Sequence, residues 1–481
     1  MKPVVVVGAG PVGQTAALLL ARWGVPSIVL DARPRRDPVG SKAMVQQRDV
    51  IDIWCAVGAG DRIAAEGLMW TVARTFHRDR EISATRFARD PGTLPAFVNI
   101  SQSRTEEILD EQIARTPGIE VRWDHEVTGI DQDGDGVTVR CGRSTVEGTH
   151  AVVCAGARGD GLRDQLGVRF EGESFTDPFL ICDIRTDLGD WQHERRFYFD
   201  PAWNPGRQVL VHPCPGSTYR IDWQLPPDHD LDLDHRIRTV IGDRPYELLW
   251  HSVYHFHSRI ADRFTIGRVL LAGDVAHLYS PFGARGLNSG VQDAENAAWK
   301  IAFARDGRAG QGLLDTYHDE RHAAAVENLA VTTDTMNFLI PRDEEAARRR
   351  VYALETASST VDSGRLAEPY WYPESPLNTP DPTRPAPSRP RKGQTPTPAP
   401  GVLVPDFRTA DGNRFRQRAR AGFRTFTADD LAPLDPTGAG RAALGIRPGE
   451  TWLIRPDAHI AAILPDPAAV PAATRRALAL D

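Results

Sequence analysis

The order of apolar and polar positions in the first thirty residues predicts a strand, a helix and a second strand. Residues 4–7 form a short continuous apolar run, which is typical of a strand buried on both faces. An amphipathic stretch reaching about residue 23 follows, and a second apolar run covers residues 27–30. This succession indicates a βαβ unit.

A glycine motif lies between the first strand and the helix. Gly8, Gly10 and Gly13 follow the spacing Gly-x-Gly-x-x-Gly, and Asp31 ends the second apolar run. Together these features form the fingerprint of a dinucleotide-binding unit, although they do not separate NAD from FAD. We expect Gly8 to make the turn, Gly10 to let a pyrophosphate approach and Gly13 to pack the helix against the strand. The helix N-terminus would bind phosphate, and Asp31 would accept hydrogen bonds from a ribose.

A second glycine-rich stretch follows the midpoint of the chain. An apolar strand over residues 269–272 leads to a polar turn at Asp274, a loop through Pro281 and Gly283, and a long helix after Gly286. The start of such a helix presents unpaired N–H groups and the positive end of the helix dipole. This positive end would stabilise negative charge on the ring of a flat ligand bound there. In isolation the stretch fits an ordinary glycine-rich loop equally well, but its combination with the N-terminal fingerprint favours the ligand site.

Other stretches predict further elements. Residues 45–59 and 101–115 read as helices, with Gln102 at the mouth of the second, and residues 119–141 read as a hairpin. Residues 170–262 alternate with period two, which indicates a mostly antiparallel sheet. No metal site is predicted. The acidic turn at 131–136 lacks the twelfth-position glutamate of a calcium loop, and the histidines at 255 and 257 have no third ligand.

Composition narrows the class of protein. The chain has 481 residues, of which 41% are hydrophobic and 25% charged, as in a soluble globular protein of two or three domains. A net charge of -7 gives no reason to expect binding to nucleic acid or anionic membranes. No apolar run approaches a membrane span, no signal peptide is evident, and five scattered cysteines predict no disulfide framework. We therefore expect a cytoplasmic protein.

Three segments resemble, in order and spacing, the single-component FAD-dependent aromatic hydroxylases, which are group A flavoprotein monooxygenases. They are GAGPVG…VLDARP, the AGARG turn within VVCAGARGDGLRDQLGV, and LLAGDVAHLYSPFGARGLNSGVQDAENAAWK. Three further segments resemble in particular the phenol and 3-(3-hydroxyphenyl)propionate hydroxylase branch: GSKAM, YHDERHAAAVENL and the proline-rich linker.

The resemblance implies an α/β fold. A Rossmann-like FAD-binding domain would carry an inserted, mainly antiparallel β-sheet substrate domain and a small C-terminal thioredoxin-like α/β appendage. The implied boundaries are 1–168 with 263–365 for FAD, with 68–100 contributing to the substrate side; 169–262 for substrate; 366–401 for a proline-rich linker; and 402–481 for the appendage.

The resemblance also implies which residues bind FAD. Those on the nucleotide side would be Gly8, Gly10 and Gly13 at the pyrophosphate, Asp31 at the adenosine ribose, Arg33 and Lys42 beside the cofactor, and Val127 at adenine through its backbone. Those on the flavin side would be Gln102 at the ribityl chain, Asp274 at ribityl or pyrophosphate oxygens, and Pro281, Gly286, Leu287 and Asn288 along the isoalloxazine.

The implied reaction is hydroxylation of a phenolic or polycyclic aromatic substrate. NADPH or NADH would reduce FAD, O2 would add at flavin C4a, and the hydroperoxide would transfer OH to the ring. A phenol reacts best as phenolate, so a base near its oxygen would help. His212 and Tyr219 are the candidate catalytic residues, although both could instead complete a protein core. The substrate and O2 are the implied partners, and homodimer formation is left open.

Three alternatives remain open at the sequence level. The same flavin chemistry could serve Baeyer–Villiger insertion or epoxidation on a polyketide-type substrate. A flavin-binding protein with weak NAD(P)H turnover is the second, because Ala155 stands where the family turn usually carries aspartate. A nicotinamide dehydrogenase without flavin is the third, but it leaves residues 270–300 unexplained.

Overall fold

The computed structural model describes residues 2–36, 43–88, 93–226, 231–356, 371–385 and 396–481. The predicted cofactor residue Lys42 lies outside these ranges, as does much of the predicted proline-rich linker.

The described residues form strands and helices throughout. The strands are β1 Val4–Val7, β2 Ser27–Leu30, β3 Val45–Gln47, β4 Val72–His77, β5 Arg80–Arg86, β6 Phe97–Asn99, β7 Ile119–Arg122, β8 Val127–Gln132, β9 Val137–Cys141, β10 Ser144–Gly148, β11 Ala151–Val153, β12 Phe170–Arg185, β13 Glu194–Phe199, β14 Gln208–Cys214, β15 Thr218–Gln224, β16 Glu247–Ala261, β17 Thr265–Ile266, β18 Val269–Leu271, β19 His277–Leu278, β20 Arg424–Thr427, β21 Thr451–Ile454 and β22 Ile460–Leu464. The α-helices are α1 Pro11–Arg22, α2 Arg48–Cys55, α3 Gly60–Glu66, α4 Gln102–Arg115, α5 Asp160–Gln165, α6 Leu233–Ile241, α7 Gly286–Arg305, α8 Asp315–Leu339, α9 Glu344–Glu355, α10 Phe415–Ala419, α11 Ala428–Leu431, α12 Ala439–Leu444 and α13 Val470–Ala477.

A six-stranded sheet contains the predicted βαβ unit. Its order is β17-β18-β11-β1-β2-β7, and every neighbouring pair is parallel except β17 with β18. All four residues of β1 are buried, because the strand has a partner on each edge and helices α1 and α7 pack nearby. The apolar run that predicted a doubly covered strand is therefore confirmed.

An eight-stranded sheet holds most of the alternating segments. Its order is β19-β16-β12-β15-β14-β13-β4-β5, antiparallel except for the β13–β4 pair. One face buries an apolar core against α6, and this core includes Tyr219, Ile221 and Trp223. The opposite face is directed at the cavity described below. The predicted antiparallel sheet is confirmed, and β4 and β5 extend it from a distant part of the chain.

One predicted helix begins later than the sequence indicated. Residues 45–47 form β3, which pairs with β6, and α2 begins only at Arg48. Tertiary hydrogen bonds override the helical pattern here, because the Gln47 N–H donates to Asn288 Oδ1 at 2.9 Å. The predicted helix at 101–115 is confirmed as α4, and the Ser101 hydroxyl caps it by accepting from the Arg104 N–H.

The last segment folds around β20-β21-β22 and contacts the first sheet's helices through buried ion pairs. Arg420 pairs with Asp52 and with Glu295, and Arg455 pairs with Glu320. None of the helices in the described ranges has the length and apolar character needed to cross a membrane.

Candidate active site

A single cavity of about 1000 Å³ extends from the glycine motif of the first sheet to one face of the eight-stranded sheet. This volume lies at the upper end of the range of roughly 300–1,000 Å³ that is usual for small-molecule and cofactor sites. Most of the predicted site residues line it. They are Gly8, Gly10, Asp31, Arg33, Gln102, Val127, His212, Asp274, Pro281, Gly286, Leu287 and Asn288.

The glycine motif shapes the nucleotide end of the cavity. Gly8 has a φ of +103°, and a Cβ there would lie 2.4 Å from the Cys154 carbonyl oxygen. A Cβ at Gly13 would lie 1.9 Å from the Gly8 oxygen, so this glycine permits α1 to pack on β1. At Gly10, by contrast, a Cβ would meet no atom within 4 Å. The backbone at Gly10 is therefore open to the cavity beside the start of α1, where an anion is favoured.

Asp31 lies at the end of β2 and has several donors. Its Oδ2 accepts from the Ala9 N–H at 2.7 Å, and its carboxylate forms a two-bond ion pair with Arg33 at 2.8 and 2.9 Å. Burial raises the pKa of Asp31, but the hydrogen bonds from Arg33 and Ala9 outweigh burial and lower it. An ionised Asp31 that contacts Arg33 is therefore the acceptor available to a ribose.

Gln102 lies in the first turn of α4, as predicted. Its Oε1 accepts from the Ala43 N–H at 3.2 Å, and its Nε2 donates to Glu106 Oε1 at 2.8 Å. Glu106 also lines the cavity and pairs with Arg36, which donates to the Ala9 carbonyl at 2.9 Å. Glu106 and Arg36 were not among the site residues predicted from the sequence. The usable signal was their opposite charges, which pair in a buried contact between α4 and the loop after β2.

The turn that contains Asp274 is fixed from behind by Asp293 of α7. Asp293 Oδ2 accepts from the Gly273 N–H at 2.9 Å and from His277 Nε2 at 2.6 Å. Its Oδ1 accepts from Arg321 Nε at 2.6 Å. Burial raises the pKa of Asp293, but Arg321 and His277 lower it to about 2. A permanent buried carboxylate therefore fixes the backbone that presents Asp274 to the cavity.

The first turn of α7 faces the same cavity. Gly286, Leu287 and Asn288 line it, and no side chain caps this helix. The Asn288 side chain is already engaged with β3, because its Nδ2 donates to the Val45 carbonyl at 2.9 Å and its Oδ1 accepts from Gln47. Asn288 would therefore contact a ligand through its backbone, which agrees with the unpaired N–H groups expected at the start of this helix.

Aromatic rings form the wall at the other end. Phe179 and Phe256 have ring centroids 4.4 Å apart, and Phe282 lies 6.0 Å from Phe179 with its ring nearly perpendicular. Trp70 lines the same region and contacts Phe97 at 4.4 Å. A wall of this kind suits a flat aromatic molecule.

The structure separates the two predicted catalytic residues. His212 lines the cavity, whereas Tyr219 is 1% exposed and packs in the core on the opposite face of the eight-stranded sheet. The physical reason is the period of two along β15, which turns the neighbouring Arg220 and Asp222 toward the cavity instead. This placement corrects the expectation for Tyr219 and argues against a catalytic role.

Four polar side chains therefore meet on the cavity face of the sheet: Arg195 of β13, His212 of β14, and Arg220 and Asp222 of β15. We call them the sheet-floor cluster. The sequence reasoning missed three of them, although the alternation of charged with apolar residues in TYRIDWQ was a usable signal of a second, polar face.

Charges in the sheet-floor cluster are unevenly paired. Arg220 forms a two-bond ion pair with Asp183 of β12 at 2.7 and 2.8 Å. Neither Asp222 Oδ1 nor His212 Nδ1 has a hydrogen-bond partner among the described residues. Burial lowers the pKa of His212 well below its ordinary value, and Arg195 and Arg220 lower it further. Burial raises the pKa of Asp222 to about 7 although the same two arginines oppose the rise.

The turn after β11 contributes Ala155, Gly156, Ala157 and Arg158 to the cavity wall. Ala155 presents a methyl group at this point of the wall, where the resemblance led us to expect a carboxylate. Acids that do line the cavity in the described ranges are Asp31, Glu106, Glu126, Asp222 and Asp274.

Comparisons with known proteins agree with this geometry. Residues 1–332 match the model of a family described as FAD binding domain. A 3-(3-hydroxy-phenyl)propionate/3-hydroxycinnamic acid hydroxylase of Mycobacterium sp. (strain JLS) is 32% identical over 367 residues, which is 74% of this chain and 63% of the relative. A flavin-dependent monooxygenase of Mycobacteroides abscessus is 34% identical over 69% of this chain and 73% of its own length.

The fold also matches solved structures. The flavin-dependent monooxygenase PieE, solved with FAD and substrate, superposes with a TM-score of 0.87 at 24% identity, covering 100% of this chain and 99% of that one. The chain spans less than two thirds of the length of the first hydroxylase above. The family match confirms the predicted FAD cofactor, and the structural match confirms the predicted α/β fold with a Rossmann-like domain and an antiparallel sheet.

Proposed function

Because this chain belongs to the FAD binding domain family, we propose that it is a monooxygenase that uses FAD, NADPH or NADH, and O2 to hydroxylate a phenolic or polycyclic aromatic substrate. The relatives named as a hydroxylase and a monooxygenase support this activity. FAD would lie along the six-stranded sheet and the substrate against the eight-stranded sheet.

The described residues fit FAD. The open backbone at Gly10 leaves room for a pyrophosphate at the start of α1, and Asp31 offers an ionised acceptor for a ribose. The uncapped first turn of α7 offers N–H groups to the polar edge of a flavin ring. When bound, FAD supplies the redox chemistry that activates O2. The protein positions the cofactor and shields it from water.

The observation that carries the proposal is the continuity of one cavity. The same space is lined by Gly10 and Asp274 at one end and by Phe179 and Phe256 at the other. A flavin bound through the first pair and an aromatic ring bound by the second would therefore meet without a protein wall between them. Direct contact of this kind is what oxygen transfer to a ring requires.

The test begins with the visible spectrum of the purified protein, which should show bound flavin. NADPH and NADH oxidation is then measured across a panel of phenols, and one oxygen atom from labelled O2 should appear as a new ring hydroxyl in the product. A label found in a lactone or an epoxide would assign the reaction to the Baeyer–Villiger or epoxidising alternative. A colourless protein would contradict the proposal altogether.

A second candidate, a flavin-binding protein with weak NAD(P)H turnover, is favoured by one observation. Ala155 leaves the wall at the Gly156–Arg158 turn without a carboxylate. Anaerobic mixing with NADPH distinguishes the two candidates, because a reductase bleaches its flavin and a passive binder does not. The flavin of an Ala155→Asp variant should be reduced faster by NADPH only if the missing carboxylate limits that reduction.

A further inference from the structure

We infer that Asp222 is the catalytic base that removes the hydroxyl proton of the aromatic substrate, and that the substrate therefore binds with this hydroxyl on the sheet-floor cluster. The inference rests on the proposed function and adds to it a named residue and the position of the substrate's acidic group.

Geometry singles out Asp222 among the acids of the cavity. It lies on β15, which is flanked by β12 and β14 in the middle of the eight-stranded sheet, and Leu210 is its register partner across β14. Asp31 pairs with Arg33 and Glu106 pairs with Arg36, both at the nucleotide end. Asp222 is the acid on the aromatic side, and its shielded Oδ1 has no hydrogen bond within the described ranges. This oxygen is shielded from the cavity, so a ligand hydroxyl would reach the carboxylate from the side of Asp222 that lines the cavity.

The surrounding charges favour the product of the proton transfer. Arg220 on the same strand is held in place by Asp183 of β12, and Arg195 of β13 lies against the rings of Trp70 and Phe197 at 6.0 and 5.3 Å. Both guanidinium groups belong to the cavity wall, so they would stabilise negative charge on a ring oxygen. The other titratable groups near Asp222 are Asp183 of β12 and His212 and Cys214 of β14, and Asp274 and Arg285 line the same cavity.

His212 is the competing candidate, and its surroundings disfavour it. Because His212 is buried, and because Arg195 and Arg220 flank it, a positive charge on the imidazole is costly, and the pKa of His212 is well below its ordinary value. The same site makes Asp222 a stronger base than an ordinary carboxylate, because burial raises its pKa to about 7. His212 is therefore a neutral hydrogen-bond partner of the hydroxyl.

The step is a simple proton transfer. The O–H bond of the substrate breaks, the proton binds a carboxylate oxygen of Asp222, and the electron pair stays on the ring oxygen. No oxidant or reductant takes part. The ring becomes more electron-rich, which is the state in which a phenol is hydroxylated most readily.

The pH profile of kcat/KM for a phenol tests the inference. In the parent enzyme the acid limb should follow Asp222, near neutral pH. In Asp222→Asn the phenol must ionise in solution, so the limb should move to the pKa of the phenol, which is about 10 for a tyrosine-like hydroxyl. At neutral pH kcat/KM of the variant should fall by about 10²- to 10⁴-fold, the usual contribution of a positioned base. With 4-nitrophenol, which is partly ionised at that pH, kcat/KM of the variant should fall little.

Two further variants separate catalysis from structure. Asp222→Glu keeps a carboxylate and should restore the near-neutral limb even if its rate is lower. Asp243→Asn makes the same charge change on an exposed loop residue and should leave the profile unchanged. An unshifted acid limb in Asp222→Asn would overturn the inference while leaving the proposed function intact.

Proton uptake supplies a readout that needs no turnover. At about pH 8 both Asp222 and free 4-nitrophenol are mainly anionic, and two anions in one site share a proton. The parent holoenzyme should therefore take up nearly one proton for each dye bound, as measured by calorimetry in buffers of different ionisation enthalpy. Asp222→Asn should take up none. If this difference appears but no phenol is hydroxylated, the proposed function fails and the assignment of the hydroxyl-binding base stands. Equal uptake by both proteins would refute the assignment.

Discussion

Replacing Gly10 with alanine should separate cofactor binding from folding. Gly10 precedes α1 with φ -73° and ψ 179°, a conformation that alanine adopts readily, and the added methyl would touch no protein atom within 4 Å. Alanine is a poorer N-cap than glycine by roughly 0.5–1 kcal/mol, but it lowers the conformational entropy of the unfolded chain, which stabilises the folded state by about 0.4–1 kcal/mol. The two effects nearly cancel, so the apoprotein of Gly10→Ala should unfold within about 1 kcal/mol of the parent.

FAD binding should respond quite differently. The methyl group would project into the cavity at the place where the pyrophosphate approaches α1, and one extra carbon in a close contact costs about 1–3 kcal/mol. At about 1.4 kcal/mol for each factor of ten, FAD should bind about 5- to 150-fold more weakly. The assay is quenching of flavin fluorescence during titration of apoprotein, paired with thermal unfolding of the same samples.

Two other glycines serve as comparisons. At Gly134, in the β8–β9 turn, an added Cβ would also meet no atom within 4 Å, but this residue lies away from the cavity, so Gly134→Ala should change neither measurement. Gly8→Ala should destabilise the apoprotein itself, because its Cβ would lie 2.4 Å from a carbonyl oxygen at a φ of +103°. If Gly10→Ala binds FAD as tightly as Gly134→Ala does, the pyrophosphate does not lie at Gly10 and the cofactor placement is wrong.

Three further results are expected from buried charges. Asp293→Asn should lower the free energy of unfolding by about 3–5 kcal/mol, because Arg321 loses its anionic partner; urea denaturation of the apoprotein measures this. The pKa of Asp293 is lowered from 3.8 to about 2 in the folded state, so the stability that its charge contributes is present above about pH 4 and is lost as the pH falls toward 2. The difference in unfolding free energy between the parent and Asp293→Asn should therefore narrow over that interval. A difference that stays constant would contradict a stabilising role for the ionised Asp293. Arg420→Met should cost a similar 3–5 kcal/mol, because it removes the cation that contacts both Asp52 and Glu295, whereas Arg424→Met at an exposed position of β20 should cost little by the same denaturation assay.

Local patterns predicted much of the fold because each carried its own physical constraint. The run at β1 is apolar at every position, as suits a strand with neighbours on both edges and with one face covered by α1 and the other by β10. A serine cap at the start of α4 fits the sequence because a short hydroxyl side chain satisfies an N–H of the first turn; both Ser101 and Ser103 could serve, and the structure shows that Ser101 does. Residues 45–47 resisted prediction, because pairing with β6 and the contact with Asn288 come from parts of the chain about 50 and 240 residues away.

The residues that line the glycine-motif end of the cavity could be selected from the sequence for a related reason. Close approach of backbone to a ligand needs glycine, and glycine is visible in a sequence without knowledge of its neighbours. Asp293 was not predictable in the same way. It lies about two turns along α7 from the cavity and acts through Gly273, so only the packing of α7 against the Asp274 turn reveals it.

The proposed substrate end of the cavity shows what a periodic pattern does not predict. Alternation along β15 places Tyr219, Ile221 and Trp223 on one face, but a period of two does not state which of the two faces meets the ligand. The prediction of Tyr219 as a catalytic residue requires that its face meets the substrate. The structure buries that face against α6 and turns Arg220 and Asp222 to the cavity, because the apolar face gains more from a dry core than from a ligand pocket. Charged residues that alternate with core residues in a central strand are therefore the better guide: they remain buried only where something other than water satisfies them, and a substrate hydroxyl is such a group.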